Sequence, residues 1–266
     1  MAVIITNLAN PAQAALFDKA FALYEHMFPA HERHGYETLV AGLNRNTTRS
    51  DVQTLWLVET GDDGVVLGAL AAYLAPGGED ADRLVTMAYM FVSPLARGKG
   101  LARQLERDLI AHVNAKRILI VCDIEDPSKM IIAGVTKAEY DEAVALYDIT
   151  PFERLVFWRD RMGYRGTDFP YTLLVNRPGA EPTSVLSLHV RLIDNGADRV
   201  PEKVSAITLR EAAAFINCEC PYADIPASHR DHPALAAMWS WPDSNTHARV
   251  SPGLASEFDS IKDHWK

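Results

Sequence analysis

Tyr89-Met-Phe-Val-Ser-Pro-Leu-Ala-Arg-Gly-Lys-Gly-Leu-Ala102 is the stretch of sequence that decides the fold. An apolar strand ends at a proline, a turn with two glycines follows, and an amphipathic helix begins directly after the turn. Gly98 and Gly100 permit backbone dihedrals that a β-carbon would hinder, and they let a ligand approach the main chain closely. The first N–H groups of a helix have no intrahelical partner and carry the positive end of its dipole. The stretch therefore predicts an anion-binding turn between a strand and a helix.

Two other kinds of phosphate loop fit this turn less well. A Walker loop needs Ser or Thr after its Gly-Lys pair, whereas Gly98-Lys99 is followed by Gly100. The dinucleotide fingerprint needs a third glycine, which the turn lacks. A strand-to-helix turn that uses its glycines only for steric reasons remains the alternative without a ligand.

The turn resembles the signature of the GNAT superfamily of acyl-CoA-dependent N-acetyltransferases, which reads Arg or Gln, two residues, Gly, one residue, and then Gly or Ala. The resemblance implies that the turn holds the pyrophosphate of coenzyme A, here at Arg97, Gly98, Lys99, Gly100, Leu101 and Ala102. It also implies that the preceding strand presents main-chain donors to the thioester oxygen and the pantetheine arm, here at Met90, Phe91 and Val92. Acetyl-CoA is accordingly the expected cosubstrate.

Apolar runs on both sides of the turn predict the sheet. Residues 52–59 and 65–74 flank a Gly-Asp-Asp-Gly turn and are typical of a β-hairpin. Residues 84–92 and 118–122 are continuously apolar, as in central strands, and the helix between them predicts a right-handed parallel crossover.

Two more apolar segments, residues 171–175 and 185–193, are predicted to supply the last strands of the sheet. The expected fold class is α/β (α+β), a GNAT-like mixed, mostly antiparallel twisted sheet. The resemblance implies a central splayed pair of parallel strands, flanking helices and a C-terminal extension.

The chain is predicted to consist of an acetyltransferase-like domain and an extension. The domain spans residues 1–195 and carries an insertion at 126–150, which includes a helix near residues 138–146. The extension spans residues 196–266, and Thr208-Leu-Arg-Glu211 is typical of a capping box ahead of an alanine-rich helix. Insertion and extension lie outside the usual family spacing, so they are expected to decide the acceptor.

Composition excludes several function classes. Hydrophobic residues make up 48% of the 266 residues, which is ample for a packed interior. Twenty-six basic and 35 acidic residues give a net charge of −9, which disfavours non-specific binding to nucleic acid. No apolar run approaches a membrane span, and the N-terminus lacks the basic start of a secretory signal. A cytoplasmic protein without nucleic-acid or membrane partners is expected, and a homodimer is left open.

No metal is expected either. Three cysteines do not make a disulfide framework. Cys218 and Cys220, with His229 and His232 further on, resemble a zinc motif, but one residue between the cysteines departs from the usual spacing. Buried thiols and loop histidines are the simpler interpretation.

A general base must be supplied, because an alkylamine with a pKa near 10.4 is protonated at neutral pH. Glu125 is the first candidate, since it follows the strand whose end faces the acceptor cleft. Asp123 and Glu32 are weaker candidates, and each of the three carboxylates could instead be a solvated loop residue.

A general acid is harder to place. In many relatives a tyrosine four residues before the helix-terminal glycine protonates the departing thiolate, and counting back from Gly163 reaches Arg159 instead. Tyr147 or Tyr164 is the substitute, and Tyr147 is the predicted catalytic acid. Because a thiol has a pKa of about 8.5, its thiolate can also leave without an acid.

The resemblance therefore implies an N-acetyltransferase that transfers an acetyl group from acetyl-CoA to a primary amine of a small molecule or peptide by direct attack. The alternative is a non-catalytic acyl-CoA-binding sensor or structural module of the same fold. The missing tyrosine and the unassigned extension favour that alternative.

Overall fold

The computed structural model describes residues 2–28, 30, 32–46, 51–173, 182–251, 261, 264 and 265. Its helices are α1 (Pro11–Met27), α2 (Tyr36–Arg45), α3 (Leu101–Val113), α4 (Pro127–Ile132), α5 (Lys137–Tyr147), α6 (Pro151–Val156), α7 (Ala206–Cys218), α8 (Ala227–Arg230) and α9 (Pro233–Ser244). Its strands are β1 (Val3–Ile5), β2 (Gln53–Thr60), β3 (Val66–Pro76), β4 (Arg83–Val92), β5 (Arg117–Glu125), β6 (Arg165–Gly166), β7 (Leu186–Asp194), β8 (Ala197–Arg199), β9 (Lys203–Ser205) and β10 (His247–Arg249). Short 3₁₀ segments lie at Pro94–Ala96 and Tyr222–Asp224, and a π-helical turn, Phe157–Arg161, follows α6.

The main sheet has the order β1-β2-β3-β4-β5-β7-β6, with β8 paired to β7. Neighbouring strands are antiparallel except for β4 and β5, which run parallel. The β2–β3 hairpin, the central strands and the crossover through α3 are therefore confirmed. The predicted fold class, a mixed and mostly antiparallel sheet with one parallel pair and flanking helices, is confirmed as well.

The parallel pair comes apart towards its C-terminal end. Described pairing between β4 and β5 runs from Arg83 opposite Ile118 to Thr86 opposite Val121, although β4 continues to Val92 and β5 to Glu125. A β-bulge accompanies the separation, because Ala71 pairs with Tyr89 while Ala72 pairs with Met87, which leaves Ala88 as an extra residue. A bulge bends its strand and increases the local twist, so β4 turns away from β5.

Helices cover both faces of the sheet. On one face α3 and α6 bury Leu105, Leu109 and Leu155 against β2 to β5. On the other face α1 and α2 cover one half of the sheet. The second half of that face is covered by α7 and α9, which bury residues such as Phe215 and Trp239. The extension therefore shares a hydrophobic core with the sheet, whereas the predicted boundary at residue 195 stays a prediction.

Two local predictions are wrong. Residues 171–173 do not form a strand: Leu173 makes only an isolated bridge to Thr183, while residues 174 and 175 lie outside the described residues. Tyr171 N donates instead to Phe169 O at 2.7 Å, a tight turn around a proline. The capping box at Thr208 is not formed, because α7 already begins at Ala206, whose N–H donates to Thr246 O at 3.0 Å.

The insertion forms two helices, α4 and α5, and so the helix predicted near residues 138–146 is confirmed. Thr136 and Glu139 make a complete capping box at the start of α5. No helix in the described ranges is long and apolar enough to cross a membrane.

Candidate active site

The turn before α3 is shaped by its two glycines. Gly98 has φ 75° and Gly100 has φ 78°, in the left-handed region that other residues rarely adopt. A β-carbon at either position would have no heavy atom within 4 Å. Backbone conformation rather than crowding therefore requires glycine here, and the space beside the main chain is open to a ligand.

Main-chain N–H groups converge on this space. Those of residues 98–103 donate to no carbonyl of the described residues, and the first paired one belongs to Gln104, which donates to Gly100 O at 3.1 Å. Arg97 and Arg103 flank these donors, and Arg103 is held by a bond from its Nε to Arg161 O of 3.1 Å. Lys99 points its ammonium at Leu95 O, 2.9 Å away. Unpaired donors, a helix dipole and guanidinium groups together suit a doubly charged diphosphate.

The gap between β4 and β5 continues from this turn as a cleft of about 1090 Å³. Met90, Phe91 and Val92 line it from β4, and the main chain of β4 has lost β5 as its partner there. Cys122 and Asp123 line it from β5. The arrangement matches the predicted cofactor groove, although the roles of the individual residues stay predictions.

The far end of the cleft is formed by segments distant in sequence. The connection between α1 and α2 contributes Phe28, Glu32, Arg33 and His34. Other walls come from the end of β5, the end of α5, α6 with its π-helical turn, and the end of α7, through Glu125, Tyr147, Arg154, Phe157, Trp158 and Ile216. Carboxylates, guanidinium groups and apolar surfaces thus surround the place where an acceptor would enter.

Asp123 lies at the bottom of this end, where β5 separates from β4. Burial raises the pKa of its carboxyl to about 6, and the nearby Glu32 and Glu125 act in the same direction. Tyr171 opposes the shift, because its hydroxyl donates to Asp123 Oδ2 at 3.1 Å and stabilises the ionised form. A carboxylate with this pKa is ionised at neutral pH and is still basic enough to accept a proton.

Glu125 and Tyr147, the two predicted catalytic residues, both line the cleft but are engaged with other side chains. Glu125 forms an ion pair with Arg154; burial raises the pKa of Glu125, and the guanidinium opposes that shift. The Tyr147 hydroxyl donates to Glu32, and its ring lies 4.1 Å below the Arg154 guanidinium carbon. Burial, reinforced by Glu32, raises the pKa of Tyr147 well above its usual value, so the phenol keeps its proton.

The other residues considered from the sequence have different surroundings. Tyr164 is fully buried and donates to Glu106 at 2.6 Å, away from the cleft. Arg159, at the position of the family tyrosine, pairs with Asp160 at 2.8 Å.

The cysteines and histidines of the extension form no cluster suited to a metal in the described ranges, where no group of three or more His, Cys, Asp or Glu side chains has that arrangement. Burial raises the pKa of Cys218 to about 12 and that of Cys220 to about 11. Both thiols are therefore protonated at neutral pH.

Sequence reasoning did not find His34, Tyr171 and Ile216. His34 and Ile216 meet at the cleft, where His34 Nε2 lies 3.2 Å from Ile216 O, although they are 182 residues apart. The apolar pattern assigns Tyr171 to a strand instead. No local signal could have found these residues, because their roles depend on contacts between distant segments.

The family comparison agrees with this geometry. Residues 17–130 match the model of the acetyltransferase (GNAT) family. The match covers β2 to β5, the glycine turn and α3. It confirms the predicted family resemblance and the predicted enzyme class, an acyltransferase.

Solved structures that match this chain include the following three. NAA60 of Arabidopsis thaliana in complex with a bisubstrate analogue is 15% identical, covering 73% of this chain and 99% of its own, with a TM-score of 0.38. An aminoglycoside 6′-N-acetyltransferase complexed with coenzyme A is 14% identical over 75% and 99% of the two chains, with a TM-score of 0.41. A GNAT-family acetyltransferase from Staphylococcus aureus Mu50 is 11% identical over 73% and 100%, with a TM-score of 0.38. No curated protein matches the chain in sequence at a significant level.

Proposed function

We propose that this chain transfers an acetyl group from acetyl-CoA to a primary amine by direct attack. The premise is that residues 17–130 match the acetyltransferase (GNAT) family. The acceptor is a small molecule or a peptide. One observation carries the proposal: the open N–H groups of residues 98–103 lie at one end of a cleft whose other end holds the partly buried Asp123 carboxyl. A cytoplasmic setting and a homodimeric assembly stay predictions from the sequence.

The chain's own groups divide the work along the cleft. Residues 97–102 bind the diphosphate. The open edge of β4 at Met90, Phe91 and Val92 offers N–H donors to the pantetheine arm and the thioester oxygen. Such donors are preorganised, so they stabilise negative charge on that oxygen without further reorganisation.

Proton transfer falls to the acceptor end. The amine must lose a proton before it attacks, and Asp123 or Glu125 accepts it. Asp123 is the stronger candidate for the general base, because Glu125 already forms an ion pair with Arg154. As the C–S bond breaks and the C–N bond forms, Tyr147 gives its proton to the thiolate and regains one from solvent through Glu32.

Thiol release tests the proposal. Acetyl-CoA is incubated with the full chain and, one at a time, with spermidine, kanamycin, glucosamine and a tetrapeptide with a free N-terminus. We expect acceptor-dependent release of free thiol with at least one amine and an acetylated product of matching mass. Binding of coenzyme A without acceptor-dependent thiol across the set would instead support the non-catalytic sensor.

Tyr147→Phe tests the predicted acid. We expect kcat to fall about ten-fold, because thiolate is a tolerable leaving group and general acid catalysis has little to add. The KM for acetyl-CoA should not change. Tyr140→Phe is the matched control, since Tyr140 lies on the same helix and stacks on Trp265 with ring centroids 4.4 Å apart. Equal rates for the two variants would remove Tyr147 from the mechanism.

A further inference from the structure

We propose that Glu219, in the C-terminal extension, is a positioning residue for the acceptor end of the cleft. Its carboxylate and its main-chain carbonyl hold His34 and Arg45 and thereby fix the connection between α1 and α2. This inference rests on the proposed function, because it assigns the extension a part in binding the acceptor amine.

Glu219 lies in an unusual backbone position. It follows the last residue of α7 with φ 52° and ψ 27°, in the left-handed region that favours glycine at a helix end. Its side chain is nevertheless only 1% exposed. Burial raises the pKa of Glu219, and His34, Arg45 and the Tyr73 hydroxyl oppose that shift. A buried carboxyl in a strained conformation is costly, so a purely structural helix end would be better served by glycine.

His34 is held between two groups of the same helix end. Its Nδ1 lies 3.7 Å from Glu219 Oε1, and its Nε2 lies 3.2 Å from Ile216 O. Arg45, at the end of α2, donates to the carbonyl of Glu219. Helix α7 therefore contacts the α1–α2 connection and the end of α2.

The main chain at His34 is fixed as well. Its N–H lies 2.8 Å from the Tyr24 hydroxyl of α1 and 3.3 Å from the Tyr89 hydroxyl of β4, and both oxygens accept from it. Burial is the main cause that raises the pKa of both tyrosines, and the charge of Glu219 adds to it. Among the described residues, the polar and charged groups near Glu219 include Tyr24, Tyr73, Tyr89, His34, Arg45 and the thiols of Cys218 and Cys220.

The contacts of Glu219 affect the cleft through the residues next to His34. Glu32, Arg33 and His34 all line the acceptor end, and Glu32 accepts from the Tyr147 hydroxyl. A shift of the connection would move these side chains but not the glycine turn, which lies at the opposite end of the cleft. Loss of the contacts made by Glu219 should therefore weaken acceptor binding and leave coenzyme A binding intact.

Two variants separate this role from a folding defect. Glu219→Gln keeps the shape and removes the charge, while Glu219→Gly removes the side chain and relieves the backbone. Glu202→Gln, an exposed residue of the same extension, is the matched control. With the best amine of the thiol-release set, we expect the KM for the amine to rise about ten-fold in both Glu219 variants, because the contact between the buried carboxyl group and His34 is lost. The Kd for coenzyme A by calorimetry should stay within about two-fold.

An unchanged KM for the amine, or an equal loss of coenzyme A affinity, would overturn the proposal. If the wild-type chain acetylates no amine, the proposed function fails and a second measurement tests Glu219. Hydrogen exchange should then be faster at the His34 amide in both Glu219 variants than in the wild type or Glu202→Gln. Identical exchange rates would show that Glu219 does not position the connection.

Discussion

Gly100→Val is expected to abolish measurable binding of coenzyme A. The substitution places a branched side chain in the open space where the diphosphate would approach, and it strains a backbone with φ 78°. Displacing the ligand from one or two charge-assisted bonds costs about 3 kcal/mol or more, which corresponds to a loss of affinity of roughly a hundred-fold or greater. Titration calorimetry with coenzyme A measures the effect directly.

Gly196→Val is the control for that experiment. Gly196 also has φ 78°, and a β-carbon there would likewise have no heavy atom within 4 Å, but it lies in the turn between β7 and β8, outside the cleft. Both variants therefore carry the same backbone strain and should lose similar thermal stability, whereas only Gly100→Val should lose ligand. If Gly100→Val bound coenzyme A as tightly as the wild type, the turn would not be the coenzyme site. The argument for acyl transfer at this cleft would then lose its basis.

Asp123→Asn is expected to lower kcat by about a hundred-fold or more, within the range of general base catalysis. The wild-type kcat/KM should rise with pH through the pKa of about 6, because only the ionised carboxylate accepts a proton. The variant should lack an inflection in this region, since an amide does not titrate; any rise that remains should be the steady increase in the neutral fraction of the amine. Rates of thiol release between pH 5 and pH 8 supply the profile.

Two further variants distinguish Asp123 from its neighbours. Tyr171→Phe removes the hydrogen bond that lowers the pKa of Asp123, so the inflection of the rate profile should move to higher pH. Glu125→Gln should reduce the rate without removing the inflection, because Arg154 already neutralises Glu125. An inflection that persists in Asp123→Asn and disappears in Glu125→Gln would assign the base to Glu125, the residue favoured by the sequence.

The sequence predicts the centre of the fold correctly, because the patterns that indicate its strands and its turn each lie within a short segment. Continuous apolar runs identify β4 and β5, and Gly98 and Gly100 mark the turn. The choice between Asp123 and Glu125 depends instead on a helix that supplies Arg154, 29 residues further along the chain. Neither the ion pair nor the hydrogen bond from Tyr171 leaves a local pattern, so the sequence ranked the two carboxylates only by their distance from the strand end.

The extension shows the same limit. Its alanine-rich composition indicates a helix, and α7 is present, but composition does not say which surface the helix covers. Phe215 stacks on Tyr73 of β3 with ring centroids 5.2 Å apart, a contact between residues far apart in the chain. Contacts of this kind decide both the shared core and the position of Glu219.

The bulge at Ala88 sets the phase of the side chains that follow it. Before the bulge, the odd-numbered residues Val85 and Met87 face α3, whereas Tyr89 and Phe91 face α1 and α2. Deleting Ala88 would leave Met87 opposite Ala72 and Tyr89 opposite Ala71, so both rings would keep their present side while the extra residue that bends the strand is lost. Shortening this strand by one residue would therefore change its bend and its separation from β5, and not the set of side chains on either face.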